Sequence, residues 1–169
     1  MIEAVAEGVI FNNLSYIMDT HINRMLVLRP RLNDEEKTEF LAGVFTWLGD
    51  PYDFRFDFAD ASRQVCTEVI YRALEGKAGI HFELVKRAGN PTLSADDIVL
   101  HYLGSRPATF DFVLFAEEDR DHADRRALIW QGAAGEERLR EQMAPGDEEQ
   151  GSPDAGRSGA APRRGARWG

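Results

Sequence analysis

The residue best suited to covalent chemistry in this chain is Cys66, the only cysteine among 169 residues. It stands ahead of a stretch whose apolar positions, Val65, Val69, Ile70, Ala73 and Leu74, recur at helical spacing. A cap at Asp60 or Ser62 would put the thiol in the first or second turn, where the helix macrodipole favours a thiolate. A thiolate at a helix start is a recurrent arrangement for nucleophilic attack on a carbonyl. The competing reading of a lone cysteine is a small core hydrophobe. Its neighbours are divided between the two, with Gln64, Thr67 and Glu68 polar beside the apolar positions. An aromatic loop precedes it, Pro51-Tyr52-Asp53-Phe54-Arg55-Phe56-Asp57-Phe58, which could shape a pocket over the helix start.

Other chemistry finds less support. A single cysteine excludes an intrachain disulfide and a multi-thiolate metal site. The histidines, His21, His81, His101 and His122, have no spacing that resembles a metal site. Each reads as a surface or satisfied histidine. No cofactor is expected. A formal net charge of −9 repels a phosphate backbone, which argues against nucleic acid as a partner. No apolar run approaches the roughly 20 residues of a membrane span. The N-terminus lacks a basic stretch followed by a long apolar one, so a cytoplasmic location is expected from Met1 onward.

The elements that must position Cys66 are legible in part. Residues 3–11 read as two short strands turning at Gly8. Ser15 caps a short helical turn through Met18, and residues 25–29 form a strand stopped by Pro30. Asn33 or Asp34 caps a helix with Glu35 and Glu36 in its first turn. Its apolar face is Phe40, Leu41, Val44, Phe45 and Leu48, and Gly49 and Pro51 end it. The cysteine helix ends near Gly76 or Gly79. Ser94-Ala95-Asp96-Asp97 opens another helix with capping-box character, stopped by Gly104. Residues 110–115 read as a last strand, followed by a charged segment over 117–126 and a weak apolar end at Ala127-Leu128-Ile129-Trp130. From Gly132 onward Gly, Ala, Pro, Ser, Arg and Glu dominate, and the expectation is a disordered tail over 132–169 after a folded domain over 1–131.

Two segments together resemble a known family. Pro51-Tyr52-Asp53-Phe54-Arg55-Phe56 followed by Cys66-Thr67-Glu68-Val69-Ile70-Tyr71 is similar to the permuted NlpC-like cysteine hydrolases of papain-like fold, the YiiX/YebB type. Their signature is a P-Y-D-x-x-F loop and then a helix opening with C-S/T-E-L/V. Upstream, Ile2-Glu3-Ala4 matches a strand of that family, and downstream Ser94-Ala95-Asp96-Asp97 matches a helix start. The likeness covers about residues 2 to 115, in the family's order. It implies that Cys66 is the nucleophile, that Glu3 is the acidic residue that orients the catalytic histidine, and that Tyr52 assists oxyanion binding. It implies a peptide-like or acyl substrate, with cell-wall peptide amides foremost. The family's histidine lies on a strand of H-x-G-I-Y type upstream of the Glu3 strand, and this chain begins at Met1 without it. The expected architecture is therefore α+β: a small antiparallel sheet, joining the N-terminal strands to the Phe110 strand, packed against the Asp34 and Cys66 helices, with the first strand missing. A sheet lacking that strand has an exposed edge or a gap. Without a base the thiol cannot deliver a proton to an amine leaving group, so the alternative is a non-catalytic peptide- or lipid-binding remnant.

Overall fold

Short strands separated by Gly- and Pro-containing turns, with amphipathic helices between them, build the α+β chain. The computed structural model describes residues 1–18, 23–119 and 127–144. Strand β1 (Ile2–Val5) turns through Ala6 and Glu7 into β2 (Gly8–Phe11). Gly8 is required there. Its φ is +113°, and a Cβ would stand 2.5 Å from the Asp50 carbonyl oxygen. The short helix α1 (Leu14–Met18) follows, and Asn13, not Ser15, supplies its cap: the Ser15 N–H donates to Asn13 Oδ1 at 3.0 Å.

Strand β3 (Arg24–Pro30) leads to helix α2 (Asp34–Thr46), which begins as expected, with Asn33 and Glu36 each accepting the other's backbone N–H. The buried side of α2 is narrower than its pattern suggests. Val44 is buried, whereas Leu41 and Phe45 are exposed. Helix α3 (Cys66–Leu74) crosses α2 and β1. The hairpin β4 (Val85–Arg87) and β5 (Asn90–Thr92) precedes helix α4 (Ala95–Gly104), which opens on the expected Ser94/Asp97 box. Arg87 and the Ser94 cap hold the Asp97 carboxyl down to about 2. Strand β6 (Phe110–Glu118) and β7 (Ala127–Trp130) then add to β3 in the order β3-β6-β7.

Three expectations are corrected. The N-terminal strands do not share a sheet with the Phe110 strand: β1-β2, β3-β6-β7 and β4-β5 are three separate antiparallel sheets. The Phe110 strand is not the last, because Ala127–Trp130 pairs with its C-terminal half. Nor does disorder begin at Gly132. Residues Gly132–Met143 form helix α5, whose Leu139 is buried in the main core. The small residues that looked like linker composition permit close packing here. A Cβ on Gly135 would stand 2.6 Å from the Phe112 ring of β6. Arg138 adds a tie to Glu117 of β6 at 2.6 Å. The rest of the expected tail, 145–169, and most of the charged segment, 120–126, lie outside the described residues, as do His21 and His122.

Two apolar clusters result. One joins α3, α4, β6 and α5 through Val65, Leu74, Ile80, Phe82, Leu93, Phe110, Phe115 and Leu139. The other joins β1, β2, α2 and α3 through Ala4, Val9, Val44, Val69 and Ala73. No helix among the described residues is long and apolar enough to cross a membrane.

Candidate active site

The position of Cys66 follows from the loop in front of it. Helix α3 starts one residue before the thiol, at the N-cap Val65, so Cys66 is its first helical residue. Asp60 and Ser62 do not cap the helix. They close a separate turn, in which the Ser62 N–H and hydroxyl both donate to Asp60 Oδ1. Valine has no side-chain acceptor, so the helix start is finished from the other direction. The Val65 N–H donates to Glu68 Oε2 at 3.3 Å. Glu68 N–H and Val69 N–H both donate to the Val65 carbonyl, which leaves the N–H groups of Cys66 and Thr67 without a partner among the described residues. The thiol itself is exposed.

The aromatic loop is tied to this helix start by backbone. Tyr52 and Gln64 form an isolated parallel bridge, with Asp53 N–H donating to the Gln64 carbonyl at 3.1 Å and Gln64 N–H to the Pro51 carbonyl at 3.0 Å. Buried Asp53 organises the remainder, accepting from Arg55 N–H at 2.9 Å and from Asp57 N–H. Phe54 and Phe56 stand edge-on to the Tyr52 ring, 4.9 and 6.3 Å between centroids. Burial, and then the nearby Cys66 and Asp53 charges, push the Tyr52 hydroxyl above its ordinary value. It therefore stays protonated at neutral pH and is available as a donor.

Under the loop lies a polar support that sequence reasoning did not single out. Glu68 is fully buried and its carboxylate is held by Arg72, whose Nε lies 3.1 Å from Oε1. Arg72 also donates to the Phe58 carbonyl at 2.9 Å, which fastens the end of the aromatic loop to α3. Burial raises the Glu68 carboxyl, against the opposing pull of Arg72. The i, i+4 spacing of Glu68 and Arg72 was the available signal for this pair. Gln64 is also fully buried; its amide donates to the Ala61 carbonyl, and its Oε1 has no partner among the described residues.

Beside the thiol opens an apolar groove of about 490 Å³. Ile2 of β1, Leu26 and Leu28 of β3, Val44 of α2, and Val69 and Ala73 of α3 line it, with Cys66 and Thr67 among its walls. None of its lining residues is charged.

The three residues assigned to the site fall out differently. Cys66 and Tyr52 come together. Glu3 does not join them: its carboxylate accepts from Asn12 Nδ2 at 2.6 Å. Ile2 and Ala4 of the same strand face the α2/α3 cluster, so alternation turns Glu3 to the opposite face of β1. No described histidine stands at Cys66. His81 pairs with Glu75, just past the far end of α3, at 3.0 Å. His101 packs between the rings of Phe82 and Phe110 and meets Thr109 Oγ1 at 3.3 Å. Among the described residues no cluster of acidic, histidine or cysteine side chains is placed to hold a metal ion. No family model matches the chain, and neither a curated protein nor a solved structure matches it.

Proposed function

We propose that the chain is a cysteine hydrolase of papain-like type, with Cys66 as nucleophile and the adjoining groove as the site for an apolar acyl group. The carrying observation is the juxtaposition of an exposed thiol at the first residue of α3 with an uncharged apolar groove. The likeness of segments 51–56 and 66–71 to the permuted NlpC-like hydrolases supports the same reading, and a peptide-like or acyl substrate follows from it. In the reaction, the thiol gives up its proton to solvent water and Sγ bonds to the carbonyl carbon. The free N–H groups of Cys66 and Thr67, with the Tyr52 hydroxyl, are the donors for the developing oxyanion. The C–O bond of an ester then breaks, its oxygen leaving as the anion or with a proton from solvent, and water resolves the thioester to a carboxylic acid and the free thiol.

A second reading, a binding groove without turnover, is favoured by one observation. The described imidazoles are bound elsewhere, so no group at Cys66 is suited to protonate an amine leaving group. Activated esters, whose leaving groups depart without a proton, separate the two. With p-nitrophenyl octanoate, the hydrolase reading expects a burst of one p-nitrophenolate per chain followed by continued turnover. A burst with no turnover supports the binding reading. Absence of a burst overturns the hydrolase reading.

A further inference from the structure

We infer that the groove measures its acyl group: it takes a linear hydrocarbon chain of about eight to ten carbons laid along α3 from Cys66, and Ala73 sets where that chain ends. The inference rests on the proposed use of Cys66 as an acyl acceptor and deepens it, naming the class of acyl chain and the residue that selects its length.

Helix α3 gives the groove its direction. Cys66 and Thr67, Val69 and Ile70, and Ala73 and Leu74 all line it. These are positions i, i+1, i+3, i+4, i+7 and i+8, one side of a helix followed for about two turns. At about 1.5 Å per residue, the helix from Cys66 to Leu74 advances about 12 Å. A second element spans a similar length. Leu26, Leu28 and Pro30, alternate residues of β3, line the same space, and that stretch of strand covers about 13 Å. Exposure falls along α3. Cys66 is exposed and Ile70 is 37% exposed, whereas Ala73 and Leu74 are buried. The groove is therefore open at the thiol and deep about two turns away.

The lining selects the class of chain. Only Cys66 and Thr67 among the lining residues carry polar side-chain atoms, and both stand at the open end. Past the first turn of α3 the side chains offer carbon alone, so an amide laid there finds no side chain to bond. A peptide carries an amide at every third backbone bond, and a hydrocarbon chain carries none. Of the peptide-like and acyl substrates that the resemblance implies, the lining favours the acyl.

Length follows from the same walls. A carbon–carbon bond of about 1.5 Å, at a tetrahedral angle, advances an extended chain by about 1.25 Å. The stretch of about 12 Å along α3 thus matches about eight to ten carbons. Ala73 is the smallest side chain that α3 contributes, and it stands about 10.5 Å along the helix from Cys66. A larger side chain there would fill the space that the end of the hydrocarbon chain needs.

Alkyl methanethiosulfonates read the groove without hydrolysis. The Cys66 thiolate attacks the reagent's sulfenyl sulfur, an S–S bond joins it to the alkyl group, and methanesulfinate leaves. Cys66 is the only cysteine, so all labelling reports on it. Rates are measured on the full chain with methyl, butyl, hexyl, decyl and tetradecyl reagents, each divided by its rate with the chain in urea. The decyl reagent should exceed methyl by at least about tenfold, and tetradecyl should gain no more than about twofold over decyl. A reagent of decyl length with two amides in its chain should lose the gain. Ala73→Leu should slow decyl by at least about tenfold and leave methyl and butyl within about twofold. Thermal unfolding shows whether that variant is folded, and Ala73→Val replaces it where it is not. Rates independent of chain length overturn the proposal, as does a gain that continues undiminished to tetradecyl. An amide-bearing reagent as fast as decyl, or a folded Ala73 variant that keeps the decyl rate, overturns it equally. The p-nitrophenyl octanoate burst is measured separately: its absence removes the hydrolase reading, while the length series decides the occupant of the groove.

Discussion

The two ends of helix α3 divide between them what a cysteine hydrolase keeps in one place. At its N-terminal end stand an exposed thiol, two N–H groups without a partner among the described residues, the Tyr52 hydroxyl and an apolar groove. At its C-terminal end Glu75 caps the helix, accepts the Phe82 N–H and holds His81 in an imidazole–carboxylate pair. Nine residues at about 1.5 Å each keep the ends about 13 Å apart, too far for direct proton transfer. The presence of cysteine, histidine and glutamate near one another in a chain is thus no guide to a catalytic unit. The helix between Cys66 and Glu75 is what separates them.

The largest effect should come from removing the nucleophile. Cys66→Ser should abolish the p-nitrophenolate burst, a loss above about 100-fold, while thermal unfolding moves little because the side chain is exposed. A burst surviving in the serine variant would place the chemistry elsewhere.

Next is the support that holds the reactive end together. Glu68→Ala leaves Arg72 without its carboxylate and Val65 N–H without its acceptor, and should destabilise the chain by about 3 kcal/mol in denaturant unfolding. Glu68→Gln, which keeps an oxygen for Val65, should cost less. Equal losses would argue that the helix start does not depend on this acceptor.

Tyr52→Phe keeps the ring contacts with Phe54 and Phe56 and removes only the donor. Acylation should slow by about tenfold, less than the roughly 100-fold or more for a dedicated oxyanion donor because the two backbone N–H groups remain, with unfolding unchanged. An unaltered burst rate would leave Tyr52 a role in packing alone.

The far end should respond to pH in stability and not in acylation. Burial lowers the His101 pKa from 6.5. Between that lowered value and 6.5 the unfolded chain therefore binds more protons than the folded one. Stability should be full above about pH 6.5 and decline as pH falls below it, and His101→Gln should remove that decline in urea titrations. His81→Ala, smaller still, should alter neither the burst nor the midpoint by more than about 0.5 kcal/mol, since His81 is exposed. A marked loss of acylation in His81→Ala would bring the two ends into one site.

Local chemistry explains what could be read in advance. The Asn33/Glu36 and Ser94/Asp97 caps and the Gly8 turn are short-range devices, settled by residues three or four apart, and they stand as their sequences indicate. The start of α3 was misplaced for a related reason. Asp60 and Ser62 are good capping residues, but they satisfy each other, and the helix begins instead where Glu68 can reach back to Val65. Tertiary packing accounts for the other differences. Gly135 looked like linker until Phe112 lay against it, and Leu41 and Phe45 have helical spacing but stay exposed, Phe45 meeting only the exposed ring of Phe11 among the described aromatic side chains. In the site, Cys66 and Tyr52 were legible because the loop and the helix are neighbours in sequence. The groove was not, since β1, β3, α2 and α3 each contribute to it from distant parts of the chain.

The central claim is that the fold makes Cys66 the acceptor of an apolar acyl group. It is tested most directly by the single-turnover rates of p-nitrophenyl octanoate and acetate with the native chain and with the chain in urea. The account predicts that octanoate acylates native Cys66 at least about tenfold faster than acetate, with a rate that saturates, and that urea removes both the preference and the saturation. Native rates that are equal for the two esters and linear in concentration would contradict it.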